Sequence, residues 1–260
     1  MGIWLQHNPE RCLSAALLLS DERYTVEMAG TVPFRSHVQA VEDLRGPAGK
    51  LEALLNTGDD DATYAAIVAH PHPPSGGTMH TKAVYHAAKA FSHFGIPVLR
   101  FNFRNAGRSE GIHDDGRGEV DDVRAGLDWL ERRFGLPILF AGFSFGSNVG
   151  LRACCGDARV QGLIGLGLPV RAAGRDYTYH FLPNCRAPKL FVSGDHDEFS
   201  PRGVLEATLV SAPEPKRVVW IEGADHFFAG IPGSPGSKLE VMQAAVRQWL
   251  QDEFGLAAQR

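Results

Sequence analysis

From about residue 64 to its C-terminal end the chain alternates, without a break, between short apolar runs and segments whose apolar residues recur at helical spacing. Such alternation is the mark of βαβ units, in which each crossover helix returns the chain to a largely parallel sheet. Residues 64–69, 98–103, 137–141, 160–168, 189–193 and 217–221 read as strands. Residues 80–94, 119–134 and 147–155 read as helices, with a last one from about 238 to 254. Gly95 and Pro97 stop the first of these. Val120, Val123, Leu127 and Leu130 give the second its buried stripe. Upstream, residues 38–44 and 50–56 flank Gly46-Pro47-Ala48-Gly49, which predicts a hairpin adding antiparallel strands at one edge. No repeat or low-complexity linker interrupts the pattern. Residues 31–260 therefore read as a single α/β domain behind an extension, 1–30, of unassigned role. Within the extension, residues 13–19 read as a short helix or an extra N-terminal element, since Asp21 and Glu22 follow at once.

Composition excludes several function classes. A net charge of -4 builds no basic field for nucleic acid or an anionic membrane. No apolar run approaches the roughly 20 residues that a membrane helix needs. The four cysteines, Cys12, Cys154, Cys155 and Cys185, include no Cys-x-x-Cys pair. A chain of 260 residues, 44% hydrophobic, builds a core without covalent staples. The cysteines are therefore expected to be reduced, buried thiols of a cytoplasmic protein.

The motif Gly-x-Ser-x-Gly occurs twice, at 107–111 and at 142–146. With 29 glycines a chance copy is unsurprising, so context must choose. A nucleophilic serine has to stand proud of the sheet on a sharp strand-to-helix turn, with glycines where a Cβ would obstruct it. Ser144 follows the strand 137–141 and precedes the helix 147–155. Ser109 leads instead into the polar run 112–118, where its glycines are ordinary turn residues. Ser144 is the candidate nucleophile.

A serine hydroxyl attacks well only if a base takes its proton, and histidine titrates in the right range. Where the serine sits on a Gly-x-Ser-x-Gly strand-to-helix elbow, the order along the chain is serine, acid, histidine, each after a strand. Of the 11 histidines, His226 fits, in a loop between the last strand and the terminal helix. The acid belongs after strand 189–193, where Asp195, Asp197 and Glu198 compete. Spacing alone leaves that choice open.

Taken in order, His70-Pro71-His72-Pro73 with Gly76-Gly77-Thr78-Met79, then 99–104, 142–146, 194–197 and Asp225-His226-Phe227-Phe228, resemble the α/β-hydrolase superfamily over nearly the whole chain. More narrowly the chain is similar to a small bacterial branch akin to dienelactone hydrolases and serine-aminopeptidase-like esterases. The resemblance implies an α/β-hydrolase fold, with a mostly parallel central sheet and helices on both faces. It also implies that the acid is the second Asp of Gly194-Asp195-His196-Asp197, hence Asp197.

Acyl transfer further needs two N–H donors for the carbonyl oxygen. One is the amide after the nucleophile, Phe145. The other comes from the loop after strand 64–69, where three prolines leave His72 the donor of Pro71-His72-Pro73-Pro74, with Ser75, Gly76 and Gly77 as substitutes. A metal site at His70, His72 and His80 is disfavoured, because no carboxylate nearby completes a zinc pattern. Only residues 169–185 separate strands 160–168 and 189–193, so any lid is minimal, with Tyr177, Tyr179 and Phe181 as candidate pocket walls. The expectation is a carboxylesterase-like serine hydrolase acting on a small-molecule acyl substrate, without cofactor or metal, nucleic acid or membrane partner. A homo-oligomer is compatible with it. A peptidase, a thioesterase or a silent binding module would share the same residues. A dinucleotide-dependent oxidoreductase is disfavoured, since no Gly-x-Gly-x-x-Gly turn with a following ribose acid is present.

Overall fold

The computed structural model describes residues 37–172 and 174–258. Strand β1 (Val38–Val41) opens them, and the two-residue strands β2 (Arg45–Gly46) and β3 (Gly49–Lys50) form a tight turn before β4 (Ala53–Asn56). Then come β5 (Ala65–Ala69), α1 (Lys82–Ser92), β6 (Val98–Phe101), α2 (Gly118–Phe134), β7 (Ile138–Phe143), α3 (Phe145–Cys154) and β8 (Val160–Leu166). A small ladder of β9 (Arg171–Ala172) with β10 (Arg175–Asp176) precedes β11 (Lys189–Gly194), α4 (Arg202–Leu209), β12 (Lys216–Ile221) and α5 (Lys238–Phe254). Eight strands make one sheet in the order β1-β4-β6-β5-β7-β8-β11-β12. β1, β4 and β6 pair antiparallel, and every pairing from β6 through β12 is parallel.

The central strands are buried on both faces, which is why they read as unbroken apolar runs. In β5, Ile67 and Ala69 point into one core with Val123, Leu127 and Leu130 of α2 and Val149 of α3. Ala66 and Val68 point into the other, with Val84, Ala87 and Phe91 of α1 and Val246 and Trp249 of α5. Helices thus cover both faces. Each fully buried Leu or Phe contributes about 1.5–3 kcal/mol, more than a typical hydrogen bond, so this two-sided burial outweighs polar contacts at the edges. Gly135, in the left-handed region at φ 63°, ends α2.

The expected elements occur with shifted ends. β7 runs on to Phe143, and α3 starts at Phe145, so strand and helix meet at Ser144 with no loop between them. The expected hairpin around Gly46–Gly49 is present, with β2 and β3 at its tip and β1 and β4 as its arms. The extension 1–30 and the element expected at 13–19 lie outside the described residues. Between β8 and β11 the described residues hold only the β9–β10 ladder and a 3-10 turn at Leu182–Asn184, with no α-helix.

The cysteine expectation is corrected. Cys155 and Cys185 form a disulfide, with Cα atoms 4.9 Å apart. Neighbouring cysteines at the end of α3 face opposite ways: Cys154 turns into the core, where burial pushes its thiol pKa up, while Cys155 meets the end of the 3-10 turn. The bridge spans 30 residues, so nothing local announces it. Closing a loop of that size is worth about 3.6 kcal/mol. Reductant is therefore expected to lower the melting temperature of the wild type and to leave Cys155→Ser unchanged, as read by thermal unfolding with and without dithiothreitol.

Candidate active site

Ser144 occupies the turn between β7 and α3 with φ 54° and ψ -123°, a conformation that residues bearing a Cβ rarely adopt. Its amide donates to the Leu166 carbonyl at 2.9 Å, fixing the turn to β8. The flanking glycines are required by space. A Cβ on Gly142 would run into the Gly146 carbonyl, and one on Gly146 into the carbonyls of His70 and Ala69. The tight turn leaves Ser144 only 8% exposed, with its hydroxyl at the C-terminal end of the parallel strands. Open α/β sheets bind ligands at that end.

Two other loops arrive there. The one after β12 carries His226, whose Nε2 lies 2.9 Å from Ser144 Oγ. The one after β11 carries Asp197, whose Oδ2 lies 2.8 Å from His226 Nδ1. With His226 neutral, the network fits one tautomer: Nδ1–H donates to the carboxylate and Nε2 accepts from the serine. Asp197 is itself positioned. Its Oδ1 accepts the Phe199 amide at 2.9 Å, and its Oδ2 the Ser193 hydroxyl at 3.3 Å. A hydroxyl held on an imidazole that is held on a carboxylate can surrender its proton as it attacks an electrophile.

The competing residues lie elsewhere. Asp195 turns to the Gly223 amide and to its neighbour His196, at 2.8 and 2.7 Å. Glu198 is exposed. Asp225 accepts the amides of Phe227 and Ala229, holding the His226 loop rather than touching the imidazole. Ser109 donates to the Asn102 carbonyl and accepts the Glu52 amide, at 2.7 and 2.9 Å, as a loop staple.

The loop after β5 contains a short 3-10 turn, Pro73–Ser75. Its amides are already engaged: Ser75 and Gly77 donate to the His72 carbonyl and Gly76 to that of Pro73. The His72 amide has no acceptor among the described residues. Phe145 begins α3, and its amide has no acceptor there either. The His72 ring stacks edge-on to Phe145, with centroids 5.3 Å apart. Its Nδ1 meets Ser75 Oγ, and its Nε2 accepts from Arg175 of β10 at 3.2 Å. Burial, followed by the Arg175 cation, lowers the His72 pKa to about 4, so the ring is neutral near pH 7.

His70 ties this loop to the rest. Its Nε2 accepts the Phe103 amide at 2.9 Å, and its Nδ1–H donates to the Pro71 carbonyl at 2.6 Å. Both nitrogens are used, so it offers no lone pair to a metal. Among the described residues no group of His, Cys, Asp and Glu is placed to hold one. Burial drives the His70 pKa from 6.5 down to about 3. Between those values the unfolded chain binds a proton that the folded one refuses. Stability from this group is therefore complete above about pH 6.5 and declines as pH falls towards 3, by at most about 5 kcal/mol. Roughly 2 kcal/mol of it should be gone by about pH 5. Urea unfolding at about pH 7 and pH 5 measures the loss, and His70→Gln is expected to show the smaller pH difference.

The model of a family described as an alpha/beta hydrolase domain matches residues 63–252, from the lead-in to β5 into α5. The chain belongs to the α/β-hydrolase family. An uncharacterised protein of Rickettsia prowazekii (strain Madrid E) is 33% identical over 200 residues, covering 70% of this chain and 79% of that one. An alpha-beta serine hydrolase homologue from Coxiella burnetii shares 33% identity at a TM-score of 0.71, over 82% of this chain and 97% of its own. A serine hydrolase without a lid, from Xanthomonas campestris, shares 32% identity at a TM-score of 0.71, over 89% of this chain and all of its own.

In this α/β-hydrolase the three aromatic residues expected to line a pocket sit in the packing of the segment between β8 and β11. Tyr179 is 5% exposed and donates its hydroxyl to the Pro169 carbonyl at 2.7 Å, and burial raises its pKa. Tyr177 and Phe181 pack half-buried against the same core. The rings around the imidazole are others. Phe143, Phe199 and Phe227 lie 5.2, 4.6 and 5.1 Å from His226 between centroids. Phe227 was legible as a neighbour of the histidine. Phe143 hides as a variable position of the serine motif, and Phe199 follows the acid by two residues, the spacing at which its amide reaches Asp197. No helix among the described residues is long and apolar enough to cross a membrane.

Proposed function

We propose that this α/β-hydrolase is a serine esterase that cleaves a small or moderately sized carboxylic ester through an acyl-enzyme. The observation carrying this reading is the unbroken line Ser144 Oγ to His226 Nε2 to Asp197, at 2.9 and 2.8 Å, starting from the turn between β7 and α3. The serine hydrolase relatives from Coxiella burnetii and Xanthomonas campestris, at 33% and 32% identity, support hydrolase chemistry.

In the proposed mechanism His226 Nε2 takes the Ser144 proton as Oγ attacks the carbonyl carbon. The His72 and Phe145 amides, both without another acceptor among the described residues, receive the oxyanion. His226 then protonates the departing alkoxide, leaving an acyl-serine and a free alcohol. Water enters, gives its proton to the same imidazole and releases the acid. Asp197 keeps the ring in the required tautomer and stabilises its cation. No metal or cofactor takes part, and the partner is the small-molecule substrate. Residues 31–260 would form this catalytic domain. A bridged Cys155–Cys185 pair belongs in an oxidising compartment, and the thiol count of freshly purified protein decides between that and the cytoplasm.

The test is a fluorophosphonate probe, followed by short-chain esters, amides and thioesters offered in parallel. Covalent labelling with ester turnover is expected. Preferred turnover of amides or thioesters would make the protein a peptidase or thioesterase, and absence of both labelling and turnover would leave a binding module.

A further inference from the structure

Phe227 is 54% exposed, although its neighbours Asp197 and His226 are each only 3% exposed. Its position is built, not incidental. Asp225 Oδ1 accepts the Phe227 and Ala229 amides at 2.9 and 2.8 Å, and the Asp225 amide closes the loop on the Ala229 carbonyl at 3.0 Å. Phe228 then takes φ 56°, a costly conformation for a bulky residue, and drives its ring into the core at 1% exposure. Inward Phe228 and outward Phe227 are the two halves of one turn. Phe227 stands edge-on to the His226 ring, with planes at 87°. Phe199 stands edge-on to the same ring at 85°. It is anchored through its amide on Asp197 and its carbonyl, which accepts the Val170 and Arg171 amides at 2.9 and 3.0 Å.

We infer that Phe227 and Phe199 form the leaving-group subsite, which selects esters whose alcohol carries an aromatic ring. This rests on the esterase reading above. His226 Nε2 must hand a proton to the departing oxygen, so the alcohol lies within hydrogen-bond reach of that nitrogen. A group beside the imidazole that reaches the surface is therefore placed to touch the alcohol. The flanks are aromatic rings, one of them exposed and already turned edge-on. Aromatic partners prefer offset or edge-to-face contact, so an aryl group entering here gains more than an alkyl chain of equal area. A single exposed phenylalanine is usually unremarked surface. One held out by an aspartate-capped turn, beside the base, has a use for its exposure.

The experiment compares kcat/KM for benzyl acetate and ethyl acetate, two esters of alcohols with similar acidity, in wild type, Phe227→Ala and Phe227→Trp. The mutational change in their ratio cancels intrinsic reactivity. Phe227→Ala is expected to lower the benzyl-to-ethyl ratio about fivefold, mainly through KM for the benzyl ester, and Phe227→Trp to keep or raise it. A ratio that stays the same in Phe227→Ala, in protein that still labels with fluorophosphonate, overturns the subsite and leaves the esterase reading standing. Wild-type protein that neither labels nor turns over either ester overturns both.

Discussion

Ser144→Ala is expected to lower kcat for ester hydrolysis about 10⁶-fold and to abolish fluorophosphonate labelling. The size follows from what is lost. Without Oγ no acyl-enzyme forms, and His226 and Asp197 have nothing to activate except water at a site shaped for a bound hydroxyl. The His72 and Phe145 amides survive the substitution, so a residual acceleration over water of about 10³ is expected from them. Ser109→Ala is the matched control, because Ser109 sits in the other copy of the motif. It removes two loop hydrogen bonds and costs about 1–3 kcal/mol of stability, but leaves labelling intact. Labelling that persists in Ser144→Ala and vanishes in Ser109→Ala would reverse the assignment.

Asp197→Asn is expected to lower kcat about 10⁴-fold with little change in fold or KM. The local hydrogen bonds decide how the new amide sits. The Phe199 amide already donates to Oδ1, so the asparagine oxygen turns to it and the NH2 faces His226 Nδ1. An NH2 donor there forces the proton of the neutral ring onto Nε2. The nitrogen that should accept from Ser144 becomes a donor, and the serine keeps its proton. Activity should recover partly at high pH, where hydroxide replaces the lost base. Asp195→Asn is the comparison, since Asp195 serves Gly223 and His196 rather than the imidazole. It is expected to retain activity within about tenfold, because it perturbs only the loop. Steady-state kinetics of the two variants side by side separates the carboxylates, and an Asp195→Asn defect as large as that of Asp197→Asn would sink the choice.

The layout of the sheet was legible because burial on both faces writes strands as plain apolar runs, and the helices between them carry a separate period. Element ends were less so. The helix expected from residue 147 begins at Phe145, since residues 145 and 146 already belong to its first turn, a fact of tertiary closure rather than propensity. Ser144 and His226 could be named because motif and chain order point to them, and Asp197 because the family resemblance implies it. Their hydrogen bonds could not, since residues 82 and 29 positions apart meet only after the sheet forms. His70 illustrates the limit. The sequence disfavoured a metal at this histidine without giving it another role, and only the folded chain places both its nitrogens on backbone groups. Cys155 and Cys185 illustrate it again: their pairing depends on where the segment after β8 crosses the end of α3.

The backbone at Ser144 has a consequence for how this position is held over evolutionary time. At φ 54° glycine would be the more comfortable residue, and a side chain there costs about 1–3 kcal/mol. A lineage selected for folding alone would drift towards glycine at 144 and become more robust as it did so. Under the proposed function, a serine at this position gives up robustness for chemistry.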